Sequence, residues 1–454
     1  MGQVGVQQLV LKKAPATGDP LNTEDRTFVF GGGGIHSLIR SRASRIGIAG
    51  IAIVLLAVYV SAVIRVWRAD WLQDQHDQQS LEASARLEPW DARTHWLLGQ
   101  YFLSAAQDQT RALANLKRAV SLNPFEARYW LDLAAAYEFA NKPDESQGAL
   151  DRAVRAEPTS PSIAWESANF YLAQNHTSRA LPLFRVAVQY GTKDTAAAAL
   201  NLCWRATHSV TQIVSQALPP EPDPYFVLLN ILTSGGQTAP ANELWHALIA
   251  QKLKFTVEQA FPYFDYLITT RQVDQAAEVW RSLGQLDSDL LEDPQLNLIS
   301  NGGFEARYLN GAFGWRHEPY SQVSISLDTS VFHSGTRALR LLFTGPALTD
   351  TGVYQYVPVR PNVKYRLSAF VRSEDIISAS GPRLVIQDSY SNQVLVSTED
   401  LLGTTGWRQQ VVDFVAGSEA RLITVRIMRV PGNPLIKGTF WLDDVHLAAI
   451  PTVN

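Results

Sequence analysis

Between Ile46 and Ile64 the chain carries no charge, no Asn or Gln and no Pro. A helix of this length, rising about 1.5 Å per residue, falls just short of the roughly 30 Å of hydrocarbon in a bilayer. Arg45 and Arg65 bracket the run, with Tyr59 and Trp67 towards one interface, where such rings are enriched. A core helix with one side in water would repeat polar positions every three to four residues, and this run has no such period. The sequence therefore predicts one transmembrane helix over residues 46–66. Arg40, Arg42 and Arg45 precede it, with Lys12, Lys13 and Arg26 further out, whereas Arg65 and Arg68 beyond it are soon offset by Asp70, Asp74 and Asp77. The excess of basic residues puts the N-terminus in the cytoplasm and the larger remainder outside, in the periplasm if the membrane is a bacterial inner membrane. The competing reading is a signal peptide cut at Val60-Ser61-Ala62, against which stands the long tail ahead of the apolar run.

That tail, residues 1–45, has no sustained apolar period and reads as a disordered cytoplasmic segment. Its Gly31–Gly34 run lacks the Lys-Ser/Thr ending of a phosphate loop. The 454 residues, 46% hydrophobic, leave room for about three domains. A net charge of -4 gives no basic face for a nucleic-acid partner. The single cysteine, Cys203, allows no intrachain disulfide and reads as a small buried hydrophobe.

Residues 75–290 are helical and repetitive. Trp96 and Trp130 are 34 apart, as are Leu116 and Leu150, Ala119 and Ala153, Pro124 and Pro158, and Tyr137 and Tyr171. Trp130, Leu133, Ala134 and Tyr137 on a first helix, then Ser146, Leu150 and Ala153 on a second, resemble the tetratricopeptide repeat. The neighbouring repeats depart from that pattern: Gly99 and Gln100 stand where Leu and a small residue are expected, and Ala164 replaces the first aromatic. Ala241, Trp245 and Leu248 echo Ala276, Trp280 and Leu283 at a step of 35, and Pro219, Pro220, Pro222 and Pro224 break the helical pattern between the two sets of repeats. The resemblance implies an α-solenoid with a concave surface that binds protein partners; the alternative is a spacer.

After Pro294 the period changes to two. Val323–Leu327, Leu339–Phe343, Tyr365–Val371, Arg383–Gln387 and Leu422–Ile427 read as short strands of an antiparallel β-sandwich over residues 295–450. The segment opens on Asn297-Leu298-Ile299-Ser300-Asn301-Gly302-Gly303-Phe304-Glu305. Gly314-Trp315, His333-Ser334-Gly335, Gln355-Tyr356-Val357-Pro358-Val359 and Gly406-Trp407 follow, and Gly438-Thr439-Phe440-Trp441-Leu442-Asp443-Asp444-Val445 closes it. In this order they resemble carbohydrate-binding modules of families 4, 9 and 22, a galactose-binding-like jelly roll. The resulting fold class is multidomain, α then β: one transmembrane helix, a solenoid resembling tetratricopeptide repeats and a jelly-roll sandwich.

The resemblance implies a structural Ca²⁺ held by Glu305 with Asp443 or Asp444; hydrogen bonds from these carboxylates to loop backbone are the alternative. A sugar site needs an aromatic platform with amides or charges beside it. Its candidates are Tyr354, Gln355, Tyr356, Arg372, Gln387 and Tyr390. Alternation sets Tyr354 and Tyr356 on one face of their strand and Gln355 on the other. Trp315, Trp407 and Trp441 read as core. No nucleophile elbow, His-Glu-x-x-His or Cys/His metal spacing occurs, and adjacent Asp443 and Asp444 should point to opposite faces, so no enzyme is expected. By resemblance, the chain is an envelope scaffold that binds proteins and glycan, in polysaccharide assembly, export or attachment. The alternative is a scaffold that binds protein alone.

Overall fold

The computed structural model describes residues 42–287, 290, 297–430 and 435–451. Most of the 1–45 tail therefore lies outside the described residues. The chain divides into two compact units, Met1–Leu122 and Asn123–Asn454.

The described residues of the first unit form four helices: α1 (Arg42–Gln73), α2 (Gln78–Leu87), α3 (Ala92–Ser104) and α4 (Gln109–Leu122). Among the described residues α1 is the one helix long and apolar enough to cross a membrane, and none of them buries its apolar window. The far end of α1 is different. Ala69 and Gln73 are buried, and Ser84 Oγ of α2 donates to Ala69 O at 3.0 Å. Gln73 Nε2 donates to Asp91 Oδ2 and Thr94 Oγ1, both at 2.9 Å. Asp77 starts α2 by accepting from Ser80 N, and Asp91 starts α3 by accepting from the backbone of Arg93 and Thr94.

Helix pairing shows where the repeat frame lies. A Cβ on Gly99 would meet Leu116 Cγ at 2.5 Å, so only glycine allows α3 and α4 to cross this closely. His95 contacts Pro89 O through Nε2, as Trp130 donates to Pro124 O through Nε1. His95, not Trp96, is thus the counterpart of Trp130, and Gly99 that of Ala134. A fixed step of 34 misses this because residues 105–108 join α3 to α4 where only residues 140–142 join the next pair.

The second unit begins with α5 (Ala127–Phe139), α6 (Pro143–Ala156), α7 (Pro161–Ala173), α8 (Thr177–Tyr190), α9 (Lys193–Thr207), α10 (Val210–Gln216), α11 (Pro222–Ser234), α12 (Thr238–Ala250), α13 (Phe261–Thr269) and α14 (Val273–Gly284). Ala134, Ser146, Ala153, Ala180 and Ala187 are wholly buried, letting paired helices approach closely. The proline cluster separates α10 from α11, and Pro222 sits in the first turn of α11, where its missing N–H has no helical partner to lose. Cys203 is wholly buried in α9, and burial pushes its thiol up to about 12.

Two five-stranded antiparallel sheets follow. The first has the order β1 (Arg316–His317), β4 (Asp350–Pro358), β9 (Leu422–Met428), β6 (Arg383–Asp388), β7 (Val394–Ser397). The second has β2 (Val323–Asp328), β3 (Ala338–Gly345), β10 (Ile436–Ala449), β5 (Lys364–Ile377), β8 (Gly403–Val415). Leu341, Phe343, Leu367, Ile386, Val425 and Phe440 meet between them in one core with Trp315. The opening motif runs beside β10: Leu298 N donates to Leu447 O at 2.8 Å, and Val445 N donates to Gly302 O at 2.9 Å. A Cβ at Gly302 would lie 2.1 Å from Val445 O, which explains glycine there.

Candidate binding surfaces

The sandwich is docked on the last helices of its unit. Phe313 packs edge-on against Phe264 at 4.6 Å and against Trp280 at 6.1 Å. Ion pairs flank these rings: Arg316–Asp265 at 2.5 Å and Arg307–Glu258 at 2.6 Å. From the β6–β7 turn, Tyr390 donates its hydroxyl to Ile268 O at 2.9 Å, and the Arg271 guanidinium covers its ring at 5.0 Å. Beside Phe313 a cavity of about 340 Å³ is lined by Trp280, Leu298 and Pro358.

This docking decides what the expected sugar residues can do. Tyr354, Tyr356 and Gln387 stand on the outer face of the first sheet, with Tyr356 and Gln387 both beside Thr424 of β9. Tyr356 lies under Arg316, the partner of Asp265, and Thr424 is buried although it points outward. Burial pushes the Tyr356 and Tyr390 phenols up. Gln355 points into the sandwich, wholly buried: its Nε2 donates to Ser300 O and its Oε1 accepts from Ser300 N. It fastens the opening segment and has no atom to offer a ligand. Arg372 belongs to the other sheet, where it covers Trp441 at 5.5 Å. The six residues thus form no single site. Tyr354 is half-buried: it packs against Tyr356 at 5.3 Å, and Arg426, paired with Asp350 at 2.5 Å, stacks on its ring at 4.9 Å. Arg426 and Asp350 come from strands whose alternation marks them only as outward, so sequence reasoning passed over them.

The three tryptophans read as core separate. Trp315 is in the core between the sheets, whereas Trp441 is buried on the outer face of the second sheet, donating to Asp328 Oδ2 at 2.9 Å. Trp407 is half-buried and meets His333 edge-on at 5.7 Å.

Glu305, Asp443 and Asp444 gather around residues 333–337. Glu305 accepts from Thr336 N at 2.7 Å, Thr336 Oγ1 at 2.5 Å and Arg337 N at 3.1 Å. The Thr336 hydroxyl and backbone hold its carboxyl below the usual range. Asp443 Oδ2 accepts from His333 N and Ser334 N at 2.8 and 3.2 Å, while burial pushes its carboxyl up. Asp444 takes His333 Nδ1 at 2.6 Å and Ser334 Oγ at 2.7 Å. The two aspartates do not point to opposite faces as alternation requires. A bulge between Asp443 and His446, with φ 47° at Asp444, turns both to the same loop. As a calcium cage the set fits only in part: every carboxylate oxygen already accepts a hydrogen bond, and among the described residues no group of three or more His, Cys, Asp or Glu is arranged to hold a metal.

The helical part offers grooves. One of about 600 Å³ runs past Trp165, Tyr190 and Asp194. Another, about 480 Å³, is lined by Arg185, Tyr225, Thr211 and Glu243. Arg128 and Glu166 pair between α5 and α7.

No family model and no curated protein matches this chain. Among solved structures it is similar to a family 4 carbohydrate-binding module at 13% identity, covering 34% of this chain and 99% of that one, with a TM-score of 0.26. It is also similar to the Pseudomonas aeruginosa protein PilF at 16% identity, covering 43% and 92%, with a TM-score of 0.25. YrrB, a tetratricopeptide-repeat protein with an unusual peptide-binding site, is 16% identical over 39% of this chain and 93% of its own, with a TM-score of 0.26. Tetratricopeptide-repeat proteins and carbohydrate-binding modules thus both stand among the folds this chain is similar to.

Proposed function

We propose that the chain is a membrane-anchored, extracytoplasmic scaffold whose helical repeats take protein partners and whose sandwich contacts glycan, in envelope polysaccharide assembly or export. The observation that carries this reading is the docking of the sandwich on α13 and α14 around Phe313, which brings the two parts of the second unit into contact. A protein segment held in the groove past Trp165 and Tyr190 and a glycan on the sandwich would then keep a fixed spacing. The glycan would use the strip around Tyr354: the Tyr354 ring as platform, with Arg426 and Gln387 for hydroxyls. Calcium belongs to this proposal as a stabiliser of residues 333–337, through Glu305 and Asp444.

A second reading, a scaffold that binds protein alone, is favoured by one observation: α13 and its turn engage Tyr390, and through Arg316 the neighbourhood of Tyr356, so part of the outer sheet face already has a protein occupant. Affinity electrophoresis of the detergent-solubilised chain in gels containing acidic or neutral polysaccharides, with Ca²⁺ or EDTA, separates the two. Retardation that Tyr354→Ala or Arg426→Ala abolishes supports the glycan reading. Unretarded, folded protein in every gel leaves the protein-only scaffold. Retardation that survives both substitutions moves the site away from the Tyr354 strip. A lower melting temperature in EDTA, absent in Glu305→Gln, supports calcium; equal melting removes it.

A further inference from the structure

We propose that the first helical unit is seated on the bilayer, its α2–α3 turn inserting Trp90 at the headgroup level while Trp67 and Trp71 anchor the opposite side of α1. The inference rests on reading α1 as a membrane span, and goes beyond it by assigning a lipid-binding surface to the helical repeat.

Two contacts fix the height of the turn. Arg65 pairs with Glu88 at 2.8 Å, and Ala69 O accepts from Ser84 Oγ at 3.0 Å. Four residues forward on α1 match four residues back on α2, so α2 runs antiparallel to α1 and descends towards the apolar stretch. Its end, at Glu88, is level with Arg65, the residue that closes that stretch. The chain turns there, and Gln73 holds Asp91 and Thr94 as α3 climbs away. Trp90 is at the bottom of this turn. It is 74% exposed, and the Arg118 guanidinium, which stacks on it at 4.9 Å, is itself a cation suited to lipid phosphate.

The other side of α1 matches. Trp67 and Trp71 are one turn apart and share a face, 67% and 54% exposed. Ala69 and Gln73, which α2 and α3 cover, point the opposite way. At about 1.5 Å per residue, Trp67 lies roughly 4–5 Å beyond Ile64 and Trp71 about 10 Å, spanning the interfacial layer of a bilayer. Indoles prefer this layer because the ring is apolar and the N–H finds a wet acceptor. Tryptophans at one height on both sides of a helix resist its tilting, since either tilt would drive one side into hydrocarbon and lift the other into water.

The test is depth measured by spin label. Full-length W90C and Q107C chains are labelled with a nitroxide in vesicles of phosphatidylcholine and phosphatidylglycerol; Cys203 is wholly buried and stays unlabelled. Position 107 lies in the α3–α4 turn, at the far end of the hairpin. Relaxation by oxygen should exceed relaxation by a water-soluble nickel chelate at position 90 and fall below it at 107. Equal, water-like values at both positions, in protein that resists alkaline carbonate extraction, overturn the proposal. A signal at 90 that disappears as protein is diluted in lipid marks contact between copies and also overturns it. Release by carbonate defeats the membrane span itself, a distinguishable failure.

Discussion

Arg429 is wholly buried, and its guanidinium is spread over Leu348 O, Ser380 O, Leu435 O and Ser378 Oγ at 2.5–3.2 Å. Burial holds it below the ordinary arginine value. Three loops of the sandwich end on this one side chain. Orphaning each buried carbonyl costs about 1–3 kcal/mol, so Arg429→Leu should lower stability by several kcal/mol. Arg429→Lys should recover only part, because an ammonium lacks the planar fork that reaches all four acceptors. Thermal unfolding followed by near-ultraviolet circular dichroism should rank wild type above R429K above R429L; equal midpoints would sink this account. Nothing in the sequence marks the residue, since its partners are scattered along the chain and it lies just past the end of β9, where alternation no longer applies. Gln355 is the reverse case. Its inward direction follows from the period of its strand, but its pairing with Ser300, 55 residues away, does not.

Elements were more legible than their frames. Repeat spacing identifies the helices and the small residues where they cross, because close packing needs both at fixed steps. The first repeat slips by one residue because its turn is one residue longer than the next, a local difference that a fixed step cannot carry. In the sandwich, alternation finds the strands but fails at Asp443 and Asp444, where a bulge breaks the period that the reading depends on. The largest omission is the docking of sandwich on helices: Phe313 reads as one more loop aromatic until Phe264 and Trp280 are brought to it. Deleting a buried Phe side chain costs about 3–5 kcal/mol. Phe313→Ala should therefore loosen this junction while leaving both folds intact. Hydrogen exchange should rise in peptides covering α13 and the Tyr390 turn and stay unchanged in β3 and β10. Unchanged exchange at α13 would show that the ion pairs at Arg316 and Arg307 suffice.

At the scale of the molecule, composition and charge asymmetry carry most of the argument. Among the described residues none buries the apolar stretch of α1, and on its near flanks Arg40, Arg42 and Arg45 before it outnumber Arg65 and Arg68 after it. If the N-terminus is cytoplasmic, as the charge asymmetry predicts, a tag ahead of Arg40 should be digested by protease only in vesicles that expose the cytoplasmic side, and a tag after Val453 only in the opposite orientation. Digestion of both tags from one side would refute the single span. The helix also continues without interruption through Val60-Ser61-Ala62 to a buried end at Gln73. A pull along that helix therefore meets the Arg65–Glu88 and Ala69–Ser84 contacts side by side, in shear. Load is shared among them at once, where a flexible tether would stretch first and pass it on one bond at a time.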